Sequence, residues 1–206
     1  MNYKRLLFTI STITILLNAE ANPALDLQTA KDNFTQATNQ ATTTQPIAKK
    51  SLTISEAATK AINNARSKAQ ICSQPVAPLK WNSSLYQIAK EHSIDMAVNT
   101  MLSHNGSGGP YDKTAKRLGL RRGSFFYERV NQEKDSKKVL SSELVIRTDK
   151  YNYKSPSDII NYWIRIPQNC KIIMDKRFTD FGLAKVISNK DNKVYWTLLL
   201  IGARQK

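Results

Sequence analysis

The sequence predicts an α+β fold: an α-β-α sandwich in which a central, mainly antiparallel sheet is covered by helices on both faces. Three observations carry this expectation. Helical patterns come first and a strand hairpin comes last, with Phe181 to Ser188 and Lys193 to Gly202 joined by the turn-forming Asn189-Lys190-Asp191-Asn192. The second of these strands contains VYWTLLLIG, which is nearly continuously apolar and so belongs at the centre of a sheet covered on both sides. Finally, the stretch from Trp81 to His104 holds a helix that is apolar on two faces: Leu85, Ile88, Ala89, His92 and Met96 line one, and Ile94, Ala97, Val98 and Met101 line the other.

Before the folded region come two appendages. Residues 1–21 have a basic start (Lys4, Arg5), an apolar run from Leu6 to Leu17 and the small-x-small sequence Ala19-Glu20-Ala21, which reads as a secretory signal peptide cleaved after Ala21. The apolar run is shorter than the ~20 residues a spanning helix needs, so no transmembrane segment is expected after cleavage. Residues 22–50 are rich in Thr, Gln, Ala and Asn, bury too little to offset ordering, and read as a flexible tether. Residues 51–206 are the expected domain. The implied location is outside the cytoplasm, periplasmic or secreted.

Within the domain, Thr53 and Glu56 have capping-box spacing, followed by the stripe Ile54, Ala57, Ala58, Ala61, Ile62 and Ala65, with Lys60, Asn63, Asn64 and Arg66 on the polar side. Pro75 and Pro78 mark a linker, and Asn82 or Ser83 can cap the central helix. That helix runs out into Ser-His-Asn-Gly-Ser-Gly-Gly-Pro, leaving His104 at the edge of a glycine-rich loop. The loop is not a phosphate cradle, because GxxxxGK[ST] spacing between a strand and a helix is missing. Residues 112–119 predict a short basic helix stopped by Gly119, and Phe125 to Val130 is an apolar run of undecided type. Residues 131–155 give no firm reading beyond one weak strand, Glu143 to Arg147. Ser155, Pro156 and Asp158 then start a helix with Ile159, Tyr162, Trp163 and Ile166 inward, ended by Pro167.

Two cysteines, Cys72 and Cys170, in an exported chain predict a disulfide, with two unpaired buried thiols as the alternative. The bridge would close a loop of about 98 residues, worth up to ~4.7 kcal/mol in the chain-entropy model. The formal charge of +15 becomes +14 when residues 1–21, with Lys4, Arg5 and Glu20, are removed. This favours anionic partners, and acidic polysaccharide, phosphate-bearing lipid and nucleic acid would all be attracted by the same field. The densest basic patch is Lys113, Lys116, Arg117, Arg121 and Arg122; no aromatics interleave it as a base-stacking groove requires, so nucleic acid is not an expected partner.

The order of motifs resembles the CAP superfamily (cysteine-rich secretory proteins, antigen five and plant pathogenesis-related proteins) in its bacterial SCP-like extracellular branch. The resemblance rests on NNAR, PLKWNSSLYQIAKEHSIDMA, MLSHNGSGGPYD, Glu128 where the family has Gly-Glu-Asn, YWIRIPQNCKIIM, FTDFGLAKV and VYWTLLLIG, over about residues 53 to 204. It implies a cleft with two histidines and acidic residues that can take a divalent metal. Carried over by position, His104 matches the first histidine and Glu128 the glutamate, while Asn169 stands where the second histidine would be and Ile166 replaces a serine. The expected cleft is therefore His104, Glu128 and Asn169, too poor in ligands for more than a weak divalent metal, and no cofactor is expected. The chain's other histidine, His92, is twelve residues from His104 and would be ~18 Å away on a continuous helix.

Three functions follow. The favoured one is an exported domain that binds an extracellular or periplasmic lipid, cell-wall or protein ligand without catalysis. The alternatives are a hydrolase of peptide, ester or cell-wall bonds using His104 and Glu128 as an acid/base pair, for which no nucleophile or GxSxG elbow is present, and a basic surface adsorbing to anionic lipid or polysaccharide.

Overall fold

The structure of the chain, a computed structural model, describes residues 51–131 and 139–203. The signal peptide and tether assigned to residues 1–50 lie outside the described residues. The elements are α1 (Ile54–Arg66), β1 (Lys80–Trp81), α2 (Ser83–Asn99), α3 (Lys113–Leu118), α4 (Phe126–Val130), β2 (Val139–Asp149), α5 (Pro156–Ile164), α6 (Pro167–Ile173), β3 (Asp180–Ile187) and β4 (Lys193–Ala203).

The four strands lie in the order β1-β3-β4-β2, with β1 parallel to β3 and the other pairs antiparallel. The apolar β4 is therefore internal, as its composition requires. Its period-2 alternation divides the molecule. Val194, Trp196, Leu198 and Leu200 face a core shared with α1, α5 and α6, which supply Ile62, Ile159, Ile160, Trp163 and Ile173. Tyr195 and Leu199 face α2, meeting Leu85, Ala89, Met96 and Ala97. Helices on both sides of one sheet make the α-β-α sandwich. Among the described residues no helix is long and apolar enough to cross a membrane.

Local chemistry sets the boundaries. Thr53 and Glu56 close a reciprocal capping box on α1, Asn82 accepts from the Ser84 and Leu85 amides on α2, and Ser155 with Asp158 repeats the box on α5. Pro167 does end α5, but it also occupies the first turn of a further helix, α6, that the sequence reading did not separate. Arg66, expected on the polar side of α1, is fully buried: it donates to the carbonyls of Ala77 at 2.7 Å, Ile173 at 2.5 Å and Asp175 at 3.2 Å. The Cys72–Cys170 disulfide, with Cα atoms 6.0 Å apart, joins the same linker to α6. The region from 131 to 155 corrects the sequence reading most. Its weak five-residue strand is an eleven-residue edge strand, β2, paired along its length with β4.

Candidate functional site

The site is built where α2 ends. Thr100 turns the chain with a left-handed backbone (φ 52), and the glycine-rich loop folds back along α2, where it bonds to His92 and Asp95. Asp95, buried on α2, accepts from the Ser107 amide at 2.8 Å and hydroxyl at 2.5 Å. Asp112 accepts from the Ser124 amide at 2.8 Å and hydroxyl at 2.7 Å while capping α3 through the Ala115 amide. The glycines permit close approach rather than phosphate binding: a Cβ on Gly123 would lie 1.6 Å from the Gly106 carbonyl oxygen. The two apolar faces expected of α2 are not covered separately: Met96 from one and Ala97 and Met101 from the other all pack with Tyr195 of the sheet, while the loop covers the polar His92 and Asp95.

Four side chains converge beneath the loop. Glu143 leaves β2 on the α2 side, with its side chain 1% exposed. One oxygen, Oε2, accepts from Arg129 Nη2 at 2.8 Å, and the other, Oε1, accepts from His104 Nδ1 at 2.9 Å. Arg129, in the last turn of α4, also donates to the His104 carbonyl at 2.8 Å and the Ser124 carbonyl at 3.0 Å. His92, buried on α2, donates from Nε2 to the Ser103 carbonyl at 2.8 Å and lies 4.0 Å from Glu143 Oε1.

Electrostatics separates the two imidazoles. Burial pushes the Glu143 carboxyl up, but the His104 hydrogen bond and the Arg129 charge outweigh it, so Glu143 sits below the ordinary carboxylate range and is ionised. An ionised carboxylate only accepts, so His104 carries its proton on Nδ1, and that bond raises the imidazole above its ordinary 6.5. His104 is 60% exposed, presenting Nε2 outward. For His92 the direction is opposite: burial first, then the Arg129 charge, lower its pKa. It stays neutral, with Nδ1 buried and without a hydrogen-bond partner among the described residues.

Above Glu143 opens a cleft of about 410 Å³ lined by His104, Asn105, Phe125, Phe126, Tyr127 and Ser142. Phe125 and Tyr127 are stacked, with ring centroids 5.4 Å apart, and the Arg122 guanidinium sits 4.0 Å over the Phe125 ring. Such a cleft offers apolar ring faces beside an imidazole donor. Ser142 is not placed as a nucleophile, because strand alternation sends its side chain to the Leu144 side of β2, away from Glu143. The hydrogen bonds of His104 go to Glu143 and Arg129. A larger groove of about 520 Å³ lies between α1 and the start of α5, with Lys60 as the charged residue in its wall.

The expected trio of His104, Glu128 and Asn169 is not brought together. Glu128 pairs with Arg122, through bonds of 2.7 and 3.0 Å, and caps α4 through the Phe125 amide at 2.7 Å. Its acidic role beside His104 is taken by Glu143. Asn169 is on α6, which packs against the opposite face of the sheet. The separation of His92 from His104 is also corrected. The chain doubles back at Thr100 instead of continuing as a helix, so both imidazoles come within 4.0 Å of one carboxylate oxygen. The sequence held one signal for Glu143, an acidic residue inside an apolar strand candidate, but pairing with β4 was needed to place it.

The donor set does not fit a divalent cation. Glu143 Oε2 is occupied by a guanidinium, which places positive charge where a metal would sit, and His104 presents a protonated nitrogen to Oε1. Among the described residues no three His, Cys, Asp or Glu side chains are grouped to hold a metal. The basic patch is exposed as expected. Lys113 is engaged by Glu91 at 3.2 Å and Arg122 by Glu128.

The model of the cysteine-rich secretory protein family matches residues 59–200. No curated sequence matches the chain. Among solved structures it is similar to an outer surface protein from Borrelia burgdorferi, with 16% identity over 63% of this chain and 80% of that one and a TM-score of 0.47. It is also similar to an extracellular SCP-domain protein from Bacillus anthracis, with 18% identity over 62% of this chain and 34% of that longer one and a TM-score of 0.43. A hookworm platelet inhibitor aligns at 13% identity over 73% of this chain and 69% of its own, with a TM-score of 0.39.

Proposed function

Because this chain belongs to the cysteine-rich secretory protein (CAP) family, we propose that it is exported and that the cleft beside His104 binds an extracellular or periplasmic ligand without turning it over and without a metal. Export is supported by the basic and apolar start of the chain, the Ala19-Glu20-Ala21 sequence and the disulfide.

The observation that carries the binding reading is the state of His104. Its Nδ1 proton is held by an ionised carboxylate that Arg129 already neutralises, and its raised pKa favours the imidazolium, which is a donor and a poor general base. Nε2 is left to donate to a carboxylate, phosphate or carbonyl on the ligand, while Phe125, Phe126 and Tyr127 receive its apolar or ring portion.

The test compares the protein with His104→Ala on peptidoglycan, ester and peptide substrates, alongside a thermal-shift screen of saccharide, fatty-acid and peptide probes. The expected result is no turnover above the variant, and a probe that the variant binds at least tenfold more weakly, as loss of a hydrogen bond to a charged group implies. Turnover that disappears in His104→Ala would establish a hydrolase instead.

A further inference from the structure

Five cations fall within the ten residues 113–122, all on or just after α3. The cleft does not use Lys116, Arg117 or Arg121. All three are exposed, and none makes an ion pair among the described residues. The acidic residue nearest in sequence, Asp112, does not offset them at the surface: it is buried, and its oxygens are taken by Ser124 and Ala115. Two large apolar side chains accompany the cations. Tyr111 and Leu118 are each 48% exposed. The helix is only six residues long and its end is folded under by Gly119, whose left-handed backbone lets the Leu120 amide reach the Ala115 carbonyl at 2.9 Å. Lys116, Arg117 and Leu118 are consecutive in the last turn of α3, and Arg121 follows two residues after Gly119.

We propose that the exposed end of α3, with Lys116, Arg117, Leu118 and the following Arg121, docks the domain on the phosphate headgroups of an anionic phospholipid bilayer. Cations without ion-pair partners among the described residues complement the headgroup charge, and the exposed aliphatic Leu118 suits the headgroup boundary. A hydrated polysaccharide would satisfy the cations but would leave Leu118 in water. The surface is separate from the His104 cleft, so either reading can fail without the other.

The test uses the exported form beginning at Asn22 with vesicles of equal parts phosphatidylglycerol and phosphatidylcholine, read by co-sedimentation. Binding is expected to these vesicles and not to phosphatidylcholine alone, falling steeply with salt. Replacing Lys116, Arg117 and Arg121 together by Gln should lower the partition coefficient roughly a hundredfold, and Leu118→Ser should lower it by about tenfold. Removing as many exposed cations elsewhere, with Lys68→Gln, Lys171→Gln and Lys176→Gln, should change it far less. The L118W variant should show a blue-shifted emission on adding vesicles and not on adding soluble heparin. Equal loss in the two triple variants would mean adsorption by overall charge, and an unaffected Leu118→Ser with heparin competing fully would mean a polyanion site; either result overturns the proposal, as does absence of binding. Unchanged melting temperatures of these surface variants separate lost docking from lost folding.

Discussion

A carboxylate as buried as Glu143 is destabilising unless its charge is matched, and here Arg129 and His104 match it from opposite sides. Glu143→Gln removes the charge and leaves the buried Arg129 guanidinium uncompensated. The expected cost is about 3–5 kcal/mol in chemical denaturation at neutral pH. The pH dependence has a definite sign for each group. Glu143, with its folded pKa lowered, contributes stability that is present above its unfolded value and lost as pH falls through the folded one. His104 is raised, so its contribution is full below 6.5 and disappears as pH rises through its higher folded value. His92 is lowered, so its burial in the neutral form costs stability as pH falls below 6.5. The sequence made His104 legible as the histidine at a loop edge, since glycines and a helix end are local signals. It could not make Glu143 legible, because a residue thirty-nine positions away reaches His104 only through the pairing of β2 with β4. Glu128 was the nearer carboxylate in sequence, but its position in the first turn of α4 turns it to the Phe125 amide and to Arg122.

At the scale of elements, α2 and the sheet meet through a gap with no room for a side chain. A Cβ at Gly182 on β3 would stand 2.3 Å from the Tyr86 amide nitrogen and 2.4 Å from the Leu85 carbonyl carbon. Both are backbone atoms of α2 and cannot swing aside. Gly182→Ala should therefore lower stability by about 1–3 kcal/mol, as overpacking does, while Gly119→Ala tests a different cause, backbone strain at φ 63 with open space around it. A Gly182→Ala protein as stable as the parent would mean that α2 sits farther from the sheet. The helices were the readable elements, because caps and periodicity are written within ten or so residues: Thr53, Asn82 and Ser155 all cap where expected. α6 was not, since one proline serves both as the stop of α5 and as the start of the next helix.

Across the whole molecule, one sheet keeps two kinds of packing apart. The side facing α1, α5 and α6 is a continuous apolar core, stapled at its rim by Cys72–Cys170 and by the buried Arg66. The side facing α2 is interrupted by polar pairs such as Ser93 with Thr197 at 2.8 Å, and it ends in the Glu143 cluster and the aromatic cleft. The central claim is that Glu143, clamped by Arg129, holds His104 as a proton-bearing donor at the mouth of that cleft. Since the chain has two histidines in all, an NMR pH titration of their ring signals tests it without ambiguity. The account predicts two well-separated midpoints, His104 above 6.5 and His92 below it, with the upper one returning towards 6.5 in Glu143→Gln. Two histidines titrating together near 6.5, or an upper midpoint indifferent to Glu143→Gln, would contradict it.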